Sequence, residues 1–161
     1  MNTGDIGNTL PTLFAELVDG ASDAQGYIFN RGDPGLLRSL DKLSATAASA
    51  ITPTGSSIAA QVDHLRYSLS LMNRWSAGEN PFDDADWRAS WRKTRVTAAQ
   101  WKQLREELAD EAHRWLESLS KPREISQTEL NGVVASVAHL AYHVGAIRQI
   151  DLTARGPSAN E

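Results

Sequence analysis

Two histidines four residues apart near the C-terminus are the most chemically informative pair in this sequence. His139 and His143 lie in an apolar stretch with helical spacing, and on a helix their Cβ atoms would be about 5–6 Å apart on one face. Two imidazoles in that arrangement can direct nitrogen atoms to one point, as in a metal site. A catalytic first-row metal commonly takes about three protein ligands and keeps an open position. A third ligand must therefore come from elsewhere in the chain.

The choice of a third ligand is narrow. The sequence has four histidines and no cysteine, so thiolate sites are excluded and a metal would be held by nitrogen or oxygen. His64 lies beside the apolar stripe of a predicted helix, where a polar side chain can still face the interior of a bundle. His113 lies in a strongly charged segment, off its apolar stripe, and is predicted to be a solvated surface residue. The candidate metal ligands are therefore His64, His139 and His143.

Several other catalytic classes are excluded by particular positions. Zinc proteases place a glutamate directly after the first histidine of such a pair, and here that residue is Leu140. The Glu-x-x-His pairs of ferritin-like di-metal proteins are absent, as are a Gly-rich phosphate loop and a Gly-x-Ser-x-Gly elbow. Asp63 adjoins His64 but would point about 100° away from it on a helix. No catalytic residue is assigned, and no motif for an organic cofactor is found.

Four residues near the histidines have predicted supporting roles. Tyr67, one turn after His64, is a candidate pocket hydroxyl, and Tyr142 is expected to be a packing residue. Glycine costs about 1 kcal/mol in a helix interior, so Gly145 predicts that another backbone or a ligand approaches closely there. Arg148 is predicted to extend along the surface, with the orientation of an anionic substrate as the alternative.

The five tryptophans are predicted to serve mainly in the core and at interfaces. Trp101 and Trp115 occupy core positions of a predicted helix, whereas Trp75, Trp87 and Trp91 could line either a dimer surface or a pocket mouth. Basic residues alternate with aromatic ones in the run 87–95, which superficially resembles a nucleic-acid-binding pattern. Three aspartates in 83–86 offset that charge, so a short solvated helix is predicted and nucleic acid is not an expected partner.

Length and charge favour one soluble domain. The chain has 161 residues, a net charge of −4 and a pI near 5.6, which argues against a surface built to neutralise phosphates. No apolar run reaches the length of a membrane span, and no basic and apolar leader begins the chain. A cytoplasmic protein without membrane contact is therefore expected. The predicted domain spans residues 1–155, followed by a flexible tail at 156–161.

The histidines are positioned by a predicted series of helices with no competing strand pattern. Capping signals and apolar spacing mark the helix starts and stops. The first predicted helix has Pro11 in its first turn and ends at Gly20, and a packed connection follows at 20–33. The second helix runs from Asp33-Pro34 through Ala47, and the third is capped by Ser56 or Ser57. After a crossover at 79–96, two more helices start with capping boxes at Thr97 and Ser126. A crossover of that length allows the helices on either side of it to run parallel.

Three features carry a family resemblance: the helix with His64, the tryptophan-bearing crossover, and the terminal run His-Leu-Ala-Tyr-His-x-Gly-x-Ile-Arg at 139–148. Together they resemble the DinB-like family of bacterial four-helix proteins. That family also contains the YfiT-type metal hydrolases. The resemblance covers nearly the whole chain and implies an all-α, four-helix bundle with up-down-down-up topology. It also implies a divalent metal, zinc or nickel, with His64, His139 and His143 as the matching ligands.

The resemblance leaves two classes of function open. Relatives include thiol-dependent transferases and isomerases that use a low-molecular-weight thiol, and members are often homodimers. One hypothesis is therefore a metal-dependent thiol transferase or hydrolase that acts on a small molecule. The alternative is a non-catalytic stress-response or ligand-binding bundle, which the lack of an evident general acid or base favours.

Overall fold

The computed structural model describes residues 3–158, with side chains from residue 8 onwards. In that range the chain is entirely helical, as predicted, with no strand. The α-helices are α1 (Thr3–Asp19), α2 (Gly35–Asp41), α3 (Ala45–Ala48), α4 (Ile58–Ser76), α5 (Ala98–Ser120) and α6 (Gln127–Ile150). Two short 3-10 turns accompany them, at Ala89–Trp91 and Leu152–Ala154.

Four long helices form the bundle. α1 and α4 each pack against both α5 and α6, which closes the arrangement around one core. α4 and α5 run parallel, because the pairs that join them advance together along both helices: Arg66 with Glu107, Asn73 with Glu111, and Ser76 with Ser118.

α6 runs antiparallel to α4. His143 near its C-terminal end contacts Gln61 near the start of α4, and Trp75 at the end of α4 lies against Gly132. The C-terminal ends of α1 and α6 lie together, since Asp33 accepts a hydrogen bond from the Ala21 backbone and pairs with α6. These directions give the up-down-down-up order that the resemblance implies.

The core is built from the apolar stripes of these helices. The largest side chains that are fully buried include Trp115, Phe14, Leu65, Leu104, Leu108 and Leu140. α6 is long and apolar enough to cross a membrane, with a mean hydropathy of 1.3 over its most apolar window. A core helix satisfies the same criterion, and Val133, Val137, Leu140, Val144 and Ile147 of α6 are all buried in the bundle.

Helix starts were predicted well from capping chemistry. Both capping boxes are present, with Thr97 and Gln100 at α5 and Ser126 and Glu129 at α6, and Ser57 caps α4. Gly20 ends α1 with a φ of 105°, and a Cβ there would lie 2.2 Å from the carbonyl oxygen of Asp33. Only glycine therefore suits this turn.

Three helix boundaries were predicted wrongly. Pro11 lies inside α1, which begins a further eight residues earlier, rather than in its first turn. The second predicted helix is divided into α2 and α3, because the Ser44 hydroxyl accepts a hydrogen bond from the Ala47 backbone and starts a new helix. The start of α2 was predicted one residue too early: Pro34, not Asp33, is the N-cap residue and Gly35 is the first helical residue, although Asp33 accepts a hydrogen bond from the Gly35 backbone.

The crossover between α4 and α5 packs back along α4. Tyr67 accepts a hydrogen bond from the Asp86 backbone, and Ser57 donates one to the Thr94 carbonyl oxygen. Lys93 forms an ion pair of 3.2 Å with the buried Asp63. The predicted helical turn is present as the 3-10 turn Ala89–Trp91, and these attachments hold it against the middle of α4.

A buried ion pair attaches the end of α6 to the connection between α1 and α2. Arg148 donates two hydrogen bonds to Asp33, which is 3% exposed, and its guanidinium lies 4.2 Å from the centre of the Phe29 ring. The buried Glu16 carboxylate accepts hydrogen bonds from three consecutive backbone N–H groups at 27–29. The predicted packed connection is thus held by buried charge rather than by apolar contact alone.

The predicted C-terminal tail begins at residue 156. The Pro157 carbonyl oxygen accepts a hydrogen bond of 2.8 Å from Asn30, so this part of the tail contacts the connection between α1 and α2. Residues 159–161 lie outside the described part of the chain.

Candidate metal centre

The three predicted histidines converge between α4 and α6, beside the crossover. His139 Nε2 lies 2.9 Å from His143 Nε2 and 3.2 Å from His64 Nε2. The three ligand atoms lie within 4.8 Å of one another. His64 and His143 are 7% and 2% exposed, and His139 is half-buried. α4 and α6 thus bring together residues 75 positions apart in the chain.

Each histidine has a hydrogen-bond partner at its other ring nitrogen. His64 Nδ1 lies 2.9 Å from Ser90 Oγ, and His143 Nδ1 lies 2.5 Å from Gln61 Oε1. His139 Nδ1 lies 3.3 Å from Ser68 Oγ. Such partners orient metal-binding imidazoles in known metal sites and select their tautomers.

Two of these partners determine where the histidine proton lies. Ser90 donates its hydroxyl proton to the Trp87 carbonyl oxygen, so towards His64 it can only accept. Gln61 donates through Nε2 to Ser56, which leaves its oxygen facing His143. Both histidines therefore carry their proton on Nδ1. Their Nε2 atoms present lone pairs to the centre of the cluster.

The proton count at the centre leaves lone pairs unsatisfied. His139 Nε2 lies between the Nε2 atoms of His64 and His143, and it carries at most one proton when the ring is neutral. One proton makes one hydrogen bond, so the two short contacts of His139 cannot both be hydrogen bonds among neutral rings. A cation at the centre would satisfy all three lone pairs.

The histidines are held in the neutral form that metal binding requires. Burial and the neighbouring imidazoles lower the pKa of His143 from 6.5 to about 3. Burial, followed by the charge of His139, lowers the pKa of His64 to about 4, with Asp63 acting weakly in the opposite direction. Burial also lowers the pKa of His139. At neutral pH protons therefore compete little with a metal.

The donor set fits a divalent transition metal. Zn–N bonds of about 2.0–2.1 Å in a tetrahedral site place neighbouring ligand nitrogens about 3.3 Å apart. The two separations that involve His139, 2.9 and 3.2 Å, are close to that value, and all three ligand atoms lie within 4.8 Å of one another. Neutral imidazoles suit zinc, nickel, copper or iron, and three of them leave a fourth position open.

Comparison with known proteins agrees with this arrangement. Residues 11–147 match the DinB superfamily, a span that includes all three histidines. The chain belongs to the DinB superfamily. No curated protein and no solved structure was found to match it. Family membership thus confirms the resemblance and the helical-bundle fold, and the site has to be interpreted from its own geometry.

Other residues predicted near the site have mostly structural roles in this DinB superfamily member. Tyr67 accepts a hydrogen bond from the Asp86 backbone and so fixes the crossover. Tyr142 was expected to pack but is 71% exposed. A Cβ on Gly145 would meet no atom of the described chain within 4 Å, so the predicted approach of another backbone is wrong, and the approach of a ligand there stays a prediction. A close approach occurs at Gly132, where a Cβ would lie 2.5 Å from the Trp75 ring.

The charged candidates are paired. Arg148 is mostly buried against Asp33, so neither predicted role, at the surface or on a substrate, is correct. His113 is half-exposed and pairs with Asp19, as a surface histidine would. Asp63 is buried and neutralised by Arg66 and Lys93 rather than directed to the histidines.

The tryptophans divide into two groups. Trp101 and Trp115 are buried, with their indole N–H groups donating to the Leu43 carbonyl oxygen and to Ser136. Trp75 packs against the core. Trp91 stacks on the His64 ring at 4.3 Å between ring centres, and Trp87 lies 5.9 Å from the same ring. The last two therefore belong to the site.

Three polar residues of the site were missed as functional residues. Gln61 and Ser68 lie on the same flank of α4 as His64, one turn before and one turn after it, so helical spacing alone could have identified them. Ser90 carried no such signal, because it reaches His64 only through the path of the crossover.

Proposed function

We propose that this DinB superfamily member binds a divalent metal ion, zinc or nickel, through His64, His139 and His143, and acts there on a small molecule. The observation that carries the proposal is the convergence of three Nε2 atoms, two of them deprotonated by the hydrogen bonds of Ser90 and Gln61. Neutral lone pairs that lie within 4.8 Å of one another are stable together when a cation satisfies them.

The reaction we propose is that of a metal-dependent thiol transferase or a hydrolase. A divalent metal held by three neutral imidazoles keeps its full charge and supplies Lewis acidity toward a thiol or a hydrolysable group. The chain's own contribution is to hold the ligands: Gln61, Ser68 and Ser90 orient the rings, and burial keeps them neutral. A low-molecular-weight thiol is the cosubstrate this chemistry favours, because sulfur is a good ligand for zinc and nickel.

The cellular location and the oligomeric state are further parts of this proposal. We expect a cytoplasmic protein that functions as a homodimer, as relatives often do, with neither a nucleic acid nor a membrane as partner. Size-exclusion chromatography with light scattering measures the assembly, and a mass near 17.6 kDa would refute the dimer.

The first experiment is elemental analysis of protein purified without a metal-affinity tag. We expect near-stoichiometric zinc or nickel in the parent and its loss in a His64→Ala, His143→Ala double variant. His113→Ala is the matched control, since that histidine is a surface residue paired with Asp19 and should leave the metal content unchanged. Absence of bound metal in the parent, even after incubation with zinc and nickel salts, would refute the proposal.

A non-catalytic binding protein is the second candidate, and one observation favours it. The side chains that hydrogen-bond to the three clustered histidines are neutral serines and a glutamine, and Asp63, next to His64 in the chain, is engaged by two cations. Two open clefts, of about 480 Å³ at the end of α1 and about 710 Å³ between α3 and the start of α5, are lined without any of these histidines. Metal binding without turnover of any thiol or hydrolysable substrate would support this candidate.

A further inference from the structure

We propose that Trp87 and Trp91 form a binding surface for the planar, aromatic part of an anionic ligand whose charged end reaches the histidine cluster. This tryptophan pair lies on the crossover, outside the four-helix core. The inference rests on the proposed metal site and names the class of ligand that the site takes.

Position is the first observation. Three of the large exposed side chains on the described surface contact a candidate metal ligand. Trp87 at 41% and Trp91 at 36% exposure contact His64, and Tyr142 at 71% lies edge-on to its chain neighbour His143, with 5.0 Å between ring centres. Trp91 stacks on His64 with an interplanar angle of 22° and lies 5.7 Å from the His143 ring. A ligand atom at the cluster would therefore have an exposed indole within reach of the rest of the molecule.

The indole N–H groups of Trp87 and Trp91 differ in their hydrogen bonding from those of the core tryptophans. Trp101 and Trp115 both use their indole N–H groups inside the protein. Among residues 3–158, neither Trp87 nor Trp91 donates a hydrogen bond from its indole. Each therefore offers a planar face and a free N–H donor, which suits a flat ligand that carries acceptor atoms.

The rings are held in place rather than free to turn away. Trp87 makes an edge-on contact with the Tyr67 ring at 5.8 Å, and its carbonyl oxygen accepts the Ser90 hydroxyl proton. Ser90 is 4% exposed and bonds to His64, so the crossover backbone between the two tryptophans is fixed to the metal centre. A preorganised aromatic surface loses less entropy on binding than a mobile one.

Charge selects an anion. Exposed Arg88 and Arg92 lie next to the tryptophans in the chain, and within the described residues Arg88 has no carboxylate partner. Arg92 faces Asp86 at 4.0 Å, and the buried Asp63 is already neutralised by Arg66 and Lys93. Arg88 therefore places one positive charge, without a carboxylate partner among the described residues, beside the pair, in addition to the charge of a bound metal. Aromatic carboxylates and aromatic thiolates combine the features that this surface recognises.

The test compares two ligands with the same metal-binding end, benzohydroxamate and acetohydroxamate, by calorimetric titration of the zinc-loaded protein. One ring-on-ring contact contributes about 0.5–1.5 kcal/mol, so two contacts correspond to an affinity ratio of about 5- to 150-fold. We expect benzohydroxamate to bind the parent about tenfold more tightly, after correction for the ratio measured with free zinc. The corrected ratio of the two affinities should fall to about one in a Trp87→Leu, Trp91→Leu double variant.

Matched variants separate ring contact from damage to the metal centre. Trp91→Phe keeps a ring over His64 and should keep most of the preference, and Trp87→Leu alone leaves the His64 stack intact and should lose part of it. Tyr27→Leu removes an aromatic residue of 64% exposure on the connection between α1 and α2 and should change nothing. Zinc content is measured for every variant, so that a folded, loaded protein is compared throughout.

The outcomes distinguish this inference from the metal site itself. If the parent binds zinc and both hydroxamates with no preference beyond that of free zinc, the tryptophan surface is refuted and the metal site stands. An equal preference in the parent and the double variant refutes it in the same way. If the parent takes up no zinc, the proposed function fails first and the inference fails with it.

Discussion

Replacing Gln61 tests how the protein holds His143 in its metal-binding tautomer. Gln61 is 8% exposed and His143 is 2% exposed, and the two are joined by a hydrogen bond of 2.5 Å. In Gln61→Leu the Nδ1–H of His143 keeps its burial and loses its acceptor. Leaving a buried donor unsatisfied costs about 1–3 kcal/mol, and about 1.4 kcal/mol corresponds to a factor of ten in affinity. We therefore expect zinc binding to weaken by about 5- to 150-fold.

The substitution Gln61→Glu should have the opposite result. Its carboxylate keeps an acceptor at the same place, and a carboxylate behind a histidine ligand raises the basicity of the imidazole. We expect zinc affinity equal to that of the parent or higher. Gln103→Leu is the control, because Gln103 is an exposed α5 residue bonded to Glu107 and is not among the hydrogen-bond partners of the histidines.

The assay is competition for zinc against a chromophoric chelator at neutral pH, with circular dichroism to confirm that each variant is folded. A Gln61→Leu protein that binds zinc as tightly as the parent would refute the assignment of the tautomer. So would a Gln61→Glu protein that is as weak as Gln61→Leu.

Three further predictions concern pH, metal and the ion pair at the end of α6. Because the pKa values of His64 and His143 are lowered to about 4 and about 3, the unfolded chain takes up protons first, so the metal-free protein should lose stability as the pH falls from 6.5 towards 4. Thermal unfolding across that pH range should show a steeper loss of stability in the parent than in a His64→Gln, His143→Gln double variant. Equal slopes of stability against pH would contradict the lowered pKa values of the two histidines. Zinc at 100 times its dissociation constant should stabilise the parent by about 2.7 kcal/mol in urea unfolding, and no zinc-dependent shift would argue against a native-state site. Arg148→Ala should lower the free energy of unfolding by about 3–5 kcal/mol in the same assay, because it leaves the Asp33 carboxylate buried without its partner. The double variant Asp33→Asn, Arg148→Met should lose less stability, because it buries no charge. A larger loss in the double variant would refute a buried charge as the cause.

Local chemistry explains why most of the fold was predictable. A capping box is complete within four residues, so Thr97 with Gln100 announces α5 without any knowledge of the tertiary structure. The four-residue spacing of His139 and His143 similarly places both on one face of α6. Signals of this kind depend on backbone geometry that the sequence alone determines.

The errors arose where tertiary contacts decide. Gly145 looked like a point of close approach, but the side chain that needs space is Trp75, and it lies over Gly132 on a different turn of α6. Arg148 looked like a surface residue because its partner, Asp33, is 115 positions away in the chain. Ser90 could not be recognised for the same reason, since the path of the crossover brings it to His64.

The separation of the ligands along the chain has a consequence for how the protein is made. His64 lies on α4, and its two partners lie on α6, which follows α4 and α5 in the chain and is synthesised after them. A growing chain that ends before α6 has only one of the three proposed ligands. The proposed metal site can therefore form only after α6 has been made and has docked against α4.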